Sequence, residues 1–215
     1  MHLAESRIAR LPWVTLTVVS AALAVALIPG AGELLQYERA AVESGEHWRL
    51  LTGQLAHWTP RMATADLLVL LITGAWLESR SRRLVAWTFL TTGLLVGIAV
   101  HVWMPELLLY RGSSGIASGL FVVVALDIFG SPARPWMRHL ALASLLLFGA
   151  KTAWETATGA ALVAGQLPPG VLVVPTVHLV GALAGILCFM FVPRRDARSG
   201  RVRGSHSVRT LSDSL

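Results

Sequence analysis

Residues 112–129 read GSSGIASGLFVVVALDIF, so a serine at 114 stands between glycines at the start of an apolar run of about 16 residues. This run is shorter than the roughly 20 residues that cross ~30 Å of hydrocarbon. A short segment can still span a membrane if one end opens into a cavity within the protein. We therefore predict a helix that begins at Ser114, below the membrane surface.

Five more apolar segments surround this one, at 11–30, 62–77, 84–104, 139–165 and 171–192. The chain is 54% hydrophobic and only 14% charged, and that charge content is roughly half of what a soluble domain carries. The sequence thus predicts an all-α membrane protein, with a six-transmembrane-helix bundle over residues 11–192.

The arginines indicate the orientation of this bundle. Of the 18 cationic residues, 17 are arginine, and 13 arginines precede the first span or follow the second, fourth and sixth. The positive-inside rule then puts both termini in the cytoplasm. Residues 1–10 become a cytoplasmic N-terminal tail and residues 193–215 a basic, disordered cytoplasmic tail. Because the arginines fall in short runs between apolar segments, we expect the lipid bilayer, and no nucleic acid, as the partner of this basic chain.

The connection at 31–61 is too long for a simple loop. It carries four glutamates together with Trp48 and Trp58, and tryptophan is typical of membrane interfaces. We predict a partly helical segment that lies in the outer interface. The single cysteine, Cys188, excludes an intramolecular disulfide and a cysteine metal site.

The glycines beside Ser114 suit a catalytic serine. Gly112 permits a sharp turn and Gly115 permits the close approach of another backbone. A serine in the first turn of a helix also lies among free backbone N–H groups and the positive end of the helix dipole, which suit an oxyanion. The alternative is a helix start with small packing residues.

The sixth segment carries His178, with Gly181 and Gly185 on the same helical face. A histidine in an apolar span is costly and normally faces the bundle interior. Docking of this face against Gly115 and Gly119 would bring His178 within hydrogen-bond reach of Ser114 and form a Ser-His dyad. The alternative is a histidine that only hydrogen-bonds a neighbouring helix.

These residues resemble the rhomboid family of intramembrane serine proteases. The family motif Gly-x-Ser-Gly is similar to residues 112–115, His-x-x-Gly-x-x-x-Gly to residues 178–185, and the Trp-Arg stretch of the first loop to Trp48 and Arg49. The resemblance implies a serine endopeptidase, with Ser114 as nucleophile and His178 as base, that cleaves membrane-anchored proteins near a transmembrane helix and needs no cofactor.

A subgroup, the rhombosortases, is similar at Tyr110-Arg111-Gly112 and at Lys151, Glu155 and Thr158-Gly159. This resemblance implies a multi-pass protein of the bacterial inner membrane, with the site open to the periplasmic side. It also implies transmembrane protein substrates with a Gly-Gly C-terminal sorting tail.

The chain departs from the rhomboid pattern where a histidine and an asparagine help to form the oxyanion hole. His57 matches the first histidine of that pattern, but Met62 and Asp66 stand at the other two positions. Methionine cannot donate a hydrogen bond, whereas a buried, protonated aspartic acid can. We therefore expect Asp66 to contribute as a neutral donor, with His57 or backbone N–H groups near Gly112 as alternatives.

Lys151 and Glu155 are four residues apart and can pair on one helical face, either as a structural ion pair or in substrate recognition. A metal site is not expected, because no His-Glu-x-x-His motif is present. Two rival functions stay open. One is a catalytically impaired rhomboid-like protein that binds client helices, and the other is a small transporter with a polar path through the bundle.

Overall fold

The structure, a computed structural model, describes residues 11–130, 135–162, 167–169 and 171–193. Within these ranges the chain is mostly helical, as the sequence predicted. The nine helices of the described residues are α1 (Trp13–Leu27), α2 (Ala31–Leu35), α3 (Arg39–Glu43), α4 (Arg49–Thr52), α5 (Pro60–Glu78), α6 (Arg82–Trp103), α7 (Ser114–Gly130), α8 (Pro135–Thr158) and α9 (Thr176–Phe191). The predicted tails at 1–10 and 193–215 lie outside the described residues, except for Pro193.

Two helices, α5 and α6, are long and apolar enough to cross a membrane. Three more, α1, α7 and α9, are apolar but shorter. Each of the six predicted segments corresponds to one long helix, and the four short elements between α1 and α5 fall in the predicted interfacial segment.

The centre of the bundle is α7, which packs against α5, α6, α8 and α9. Its contact with α9 is the most extensive and depends on glycine. A Cβ on Gly181 would meet the carbonyl oxygen of Gly115, and one on Gly185 would meet that of Gly119. The two backbones therefore touch directly along the faces on which the sequence places small residues.

The N-terminal helix α1 is held on α5 by a glycine and a glutamate. A Cβ on Gly74 would lie 2.7 Å from Thr15 Oγ1. The buried Glu78 carboxylate accepts hydrogen bonds from the backbone N–H of Val14 (3.0 Å) and Thr15 (2.9 Å) and from the Thr15 hydroxyl (2.9 Å). A carboxylate in this place satisfies free donors at the helix N-terminus and suits its dipole.

Two boundaries differ most from the sequence prediction. The fifth segment was expected to run to residue 165, but α8 ends at Thr158, and Gly159 follows with φ +67°. A glycine in the left-handed region commonly ends a helix. The sixth segment was expected from 171, but α9 begins at Thr176, directly after Pro175, where the fixed φ of proline suits a helix start.

The segment before α5 supports the loop that carries Ser114. Strand β1 (Tyr37–Glu38) pairs antiparallel with β2 (Leu109–Tyr110), which immediately precedes the glycine–serine turn. Arg49 is buried beneath this ladder and donates to the carbonyl of Gln36 at 3.0 Å. The interfacial segment therefore anchors the N-terminus of α7 from outside the bundle.

The contact between α7 and α9 predicts that Gly181→Ala destabilises the protein, because the new Cβ would overlap the Gly115 carbonyl. Overpacking of this kind typically costs about 1–3 kcal/mol, which lowers the apparent melting temperature in detergent. The matched control is Gly149→Ala in α8, where no heavy atom lies within 4 Å of the added Cβ. Equal melting temperatures for the two variants would contradict the close contact.

Candidate active site

Ser114 is the first residue of α7 and is partly exposed. The turn before it depends on Gly112, whose φ of +141° favours glycine. The Gly112 N–H donates to the Gly53 carbonyl (3.2 Å), and the Gly112 carbonyl accepts from the Tyr110 hydroxyl (3.0 Å). Both polar groups of the turn are satisfied, so the position of Ser114 is fixed.

The helix start also offers free donors. Ala117 N donates to the Ser113 carbonyl at 2.9 Å, whereas the backbone N–H groups of Gly115 and Ile116 have no backbone acceptor among the described residues. Such groups, at the positive end of a helix dipole, can stabilise negative charge. They lie in the same helical turn as the Ser114 hydroxyl.

Tyr110 is a buried neighbour of Ser114. Its hydroxyl donates a hydrogen bond to the Gly112 carbonyl at 3.0 Å, and Tyr110 and Ser114 line the same cavity. Burial raises the pKa of Tyr110, and the nearby Asp66 charge raises it further. The phenol therefore stays protonated and keeps its bond to the Gly112 carbonyl.

His178 lies in the first turn of α9, where the glycine contact brings α9 against α7. The Val177 carbonyl, one residue before His178, would lie 3.1 Å from a Cβ on Gly115, one residue after Ser114. The Phe148 ring of α8 contacts the imidazole in a T-shaped arrangement with centroids 6.4 Å apart. His178 is therefore nearly buried and held from two sides.

Ser114 and His178 line the same cavity, which has a volume of about 840 Å³. In the described part of the chain, no hydrogen bond joins their side chains. Catalytic hydrogen bonds are often long in unliganded enzymes and tighten when substrate binds. The structure thus brings the two predicted residues to one cavity without the direct bond.

Residues of α5 and α8 line the cavity together with those of α7 and α9. On one side it is lined by Met62, Asp66 and Val69 of α5, and on the other by Phe148, Lys151 and Glu155 of α8. Its volume lies in the range of ligand-binding pockets, ~300–1,000 Å³. The walls are mainly apolar, and the charged residues Asp66, Lys151 and Glu155 line the cavity together with Ser114 and His178.

Behind Ser114 lies a second polar cluster, which is formed by His57, Asp66 and Ser113. His57 Nε2 is 3.1 Å from Ser113 Oγ and 3.3 Å from Asp66 Oδ2, and the Ser113 hydroxyl donates to Asp66 Oδ2 at 3.4 Å. Ser113 is 1% exposed and does not line the cavity, nor does His57. Of the three, only Asp66 reaches the cavity wall.

Of the residues predicted for the oxyanion site, Asp66 lines the cavity, whereas His57 and Gly112 do not. His57 Nε2 is engaged with Ser113 and Asp66, away from the cavity. Gly112 lies in the turn, and both of its polar backbone groups are already bonded. Asp66 lies on the wall near Ser114, with one carboxylate oxygen as an acceptor.

Lys151 and Glu155 form the ion pair that the spacing predicted, with Nζ 2.6 Å from Oε2. The same Glu155 oxygen lies 3.6 Å from His178 Nδ1. The ion pair is therefore part of the candidate site, and its Glu155 carboxylate lies beside the His178 imidazole.

Arg111 lies at the mouth of the cavity and is held by three groups. Its guanidinium donates to Gln36 Oε1 (2.8 Å) and Glu33 Oε1 (2.9 Å), and it stacks 4.5 Å from the centre of the Trp58 ring. The contact with Arg111 lowers the pKa of Glu33. The contact with Glu33 links α2 to Arg111, the residue directly before Gly112.

A scan against protein-family models and a search of curated proteins return no match for this chain.

Sequence reasoning missed three features of the site. The link of Ser113 with His57 and Asp66 and the bond of the Tyr110 hydroxyl to the Gly112 carbonyl join residues whose spacing follows no motif of one helix or strand. The approach of Glu155 to His178 depends on how α8 meets α9. The only signal for any of these was the presence of polar residues in apolar surroundings, which marks a site but not its contacts.

The different surroundings of the two serines predict a difference in accessibility. In Ser114→Cys the thiol should react with a water-soluble maleimide, because Ser114 lines the cavity, whereas the thiol of Ser113→Cys should react at least tenfold more slowly. The one native cysteine, Cys188, is buried and gives little background. Equal modification of both variants under native conditions would show that Ser113 also faces the cavity.

Proposed function

We propose that this protein is a rhomboid-like intramembrane serine endopeptidase in which Ser114 is the nucleophile and His178 the base. The observation that carries this proposal is the presence of both side chains on one cavity, at the free N-terminus of α7 and against the glycine contact with α9. A hydroxyl, an imidazole and unpaired N–H groups in one place are the groups that acyl transfer needs.

The apolar surface supports a location in the bilayer. Large apolar side chains are strongly exposed on helices all around the bundle, among them Leu27, Ile72, Val102, Leu147 and Phe191. Soluble monomers rarely expose so much contiguous apolar surface. We propose six transmembrane helices (α1 and α5–α9), both termini in the cytoplasm, and a site that opens to the periplasmic side of a bacterial inner membrane.

In the proposed reaction, His178 takes the Ser114 proton as the oxygen attacks a scissile carbonyl. The backbone N–H groups of Gly115 and Ile116 stabilise the oxyanion. His178 then returns the proton to the leaving amine, and water hydrolyses the acyl-enzyme. An extended segment from a membrane-anchored protein enters the cavity between α5 and α8. A Gly-Gly sorting tail is the substrate that the resemblance suggests.

A second candidate is a catalytically impaired protein that binds client helices without cutting them. The absence of a hydrogen bond between Ser114 and His178 in the described part of the chain, together with the Met62 and Asp66 departures, favours it. A transporter is less well supported, because the described polar residues converge on Ser114 and His178.

Labelling with a fluorophosphonate probe tests the dyad. The purified protein in detergent should be labelled at Ser114, because an activated serine attacks phosphorus. Labelling should be lost in Ser114→Ala and fall at least ~10²-fold in His178→Ala. The matched control is Ser113→Ala, which should keep at least a tenth of the wild-type rate.

Two outcomes would count against the protease. Absence of labelling in the wild-type protein would favour the client-binding alternative. Labelling that survives Ser114→Ala but not Ser113→Ala would assign the nucleophile to the buried cluster instead.

Two substitutions of Asp66 test its predicted role as a neutral donor. Asp66→Asn keeps the shape and donates a hydrogen bond at any pH, so the labelling rate should stay within about threefold of the wild type. Asp66→Leu removes the donor and should cost ~10- to 10²-fold, less than or similar to the loss of one oxyanion donor. If Asn and Leu impair labelling equally, Asp66 acts as the acceptor for Ser113 and His57, not as a donor.

A further inference from the structure

The carboxylate of Glu155 has three polar neighbours among the described residues, namely Lys151, His178 and the Leu162 N–H. Its Oε2 lies 2.6 Å from Lys151 Nζ and 3.6 Å from His178 Nδ1, and its Oε1 accepts from the Leu162 backbone N–H at 3.1 Å. The side chain is 3% exposed. Lys151 and the Leu162 N–H thus hold the carboxylate in one place beside the histidine.

His178 has no other polar contact at this nitrogen. Its Nδ1 is buried and lies at hydrogen-bond distance from no acceptor in the described part of the chain, with Glu155 Oε2 just beyond that distance. A neutral imidazole has one N–H and one acceptor nitrogen, and the partner of the first decides which is which. An acceptor on the Nδ1 side would leave Nε2 as the nitrogen free to take a proton.

A plain structural ion pair would not need this arrangement. Lys151 and Glu155 satisfy one another along α8, and a pair that only neutralised its charges could face any neighbour. Phe148, Lys151 and Glu155 instead lie on one face of α8 by their spacing, and both Phe148 and Glu155 contact His178. Across the cavity the other charged group that faces the histidine is Asp66 of α5.

We propose that Glu155 is a positioning residue that accepts the Nδ1–H of His178, and that Lys151 fixes the carboxylate for this purpose. This inference rests on the proposed function, because it completes the Ser114–His178 dyad with an orienting acid. A small approach of α8 toward α9 closes the 3.6 Å gap to a hydrogen bond. Without the acid, the imidazole can adopt the tautomer that points its N–H at Ser114, which is inactive as a base.

The test measures the maximal inactivation rate and the half-saturating concentration of the fluorophosphonate separately. Glu155→Leu should lower the maximal rate ~10²-fold, because the His178 imidazole loses the acceptor that orients it. The half-saturating concentration should stay within about twofold, because the cavity keeps its apolar wall. Glu155→Gln keeps an oxygen acceptor and should recover most of this loss, to within about tenfold of the wild type. A residue that acts only through folding would not separate the two constants in this way.

The matched control is Asp127→Asn, which removes the carboxylate of another ion pair, 3.0 Å from Arg80, away from the cavity. It should lower the melting temperature but leave both constants unchanged. Wild-type maximal rates in both Glu155 variants would overturn the positioning role while the dyad stands. A loss in Glu155→Gln as large as in Glu155→Leu would also overturn it. Absence of labelling in the wild-type chain would overturn the proposed function and this inference together.

Discussion

Contact between two helix backbones, α7 against α9, is the constraint on which the site depends. Gly115 and Gly119 meet Gly181 and Gly185 with no space for a single methyl group. In the proposed membrane location, apolar helices gain little from the hydrophobic effect when they associate, and close packing with backbone contact supplies the attraction. The same contact sets the distance between Ser114 and His178, which lie one residue before Gly115 and three before Gly181.

The remaining elements act on this pair of helices from its two ends. At one end the β1–β2 ladder and Arg111 hold the turn that leads into α7. At the other end Arg80 bonds Asp127 of α7 at 3.0 Å. Charged side chains of the described residues lie at helix ends and on the cavity wall, which fits the proposed location in a membrane. Helix α8 is weakly held, since only Ala141, Thr152 and Glu155 of its 24 residues are buried.

The sequence predicted the parts of this arrangement that repeat with helical period. The six long helices and the faces of α7 and α9 follow from apolar length and glycine spacing, and the Lys151–Glu155 pair follows from its spacing of four. The contacts of Tyr110, Ser113 and His57 could not be predicted, because they join segments as far as 56 residues apart. The end of α8 at Thr158 was missed because apolar residues continue beyond Gly159, and hydropathy does not register a change of backbone conformation.

Met62 stands where the rhomboid pattern has a hydrogen-bond donor, and in this chain its side chain packs instead of donating. Its Cε lies 2.5 Å from where a Cβ of Gly112 would be, so the thioether fills the space beside the glycine. A flexible, polarizable side chain suits an irregular gap of this kind. It packs on the backbone turn that presents Ser114, and that turn leads directly to the free N–H groups of Gly115 and Ile116. In this chain the position supports the shape of the helix start.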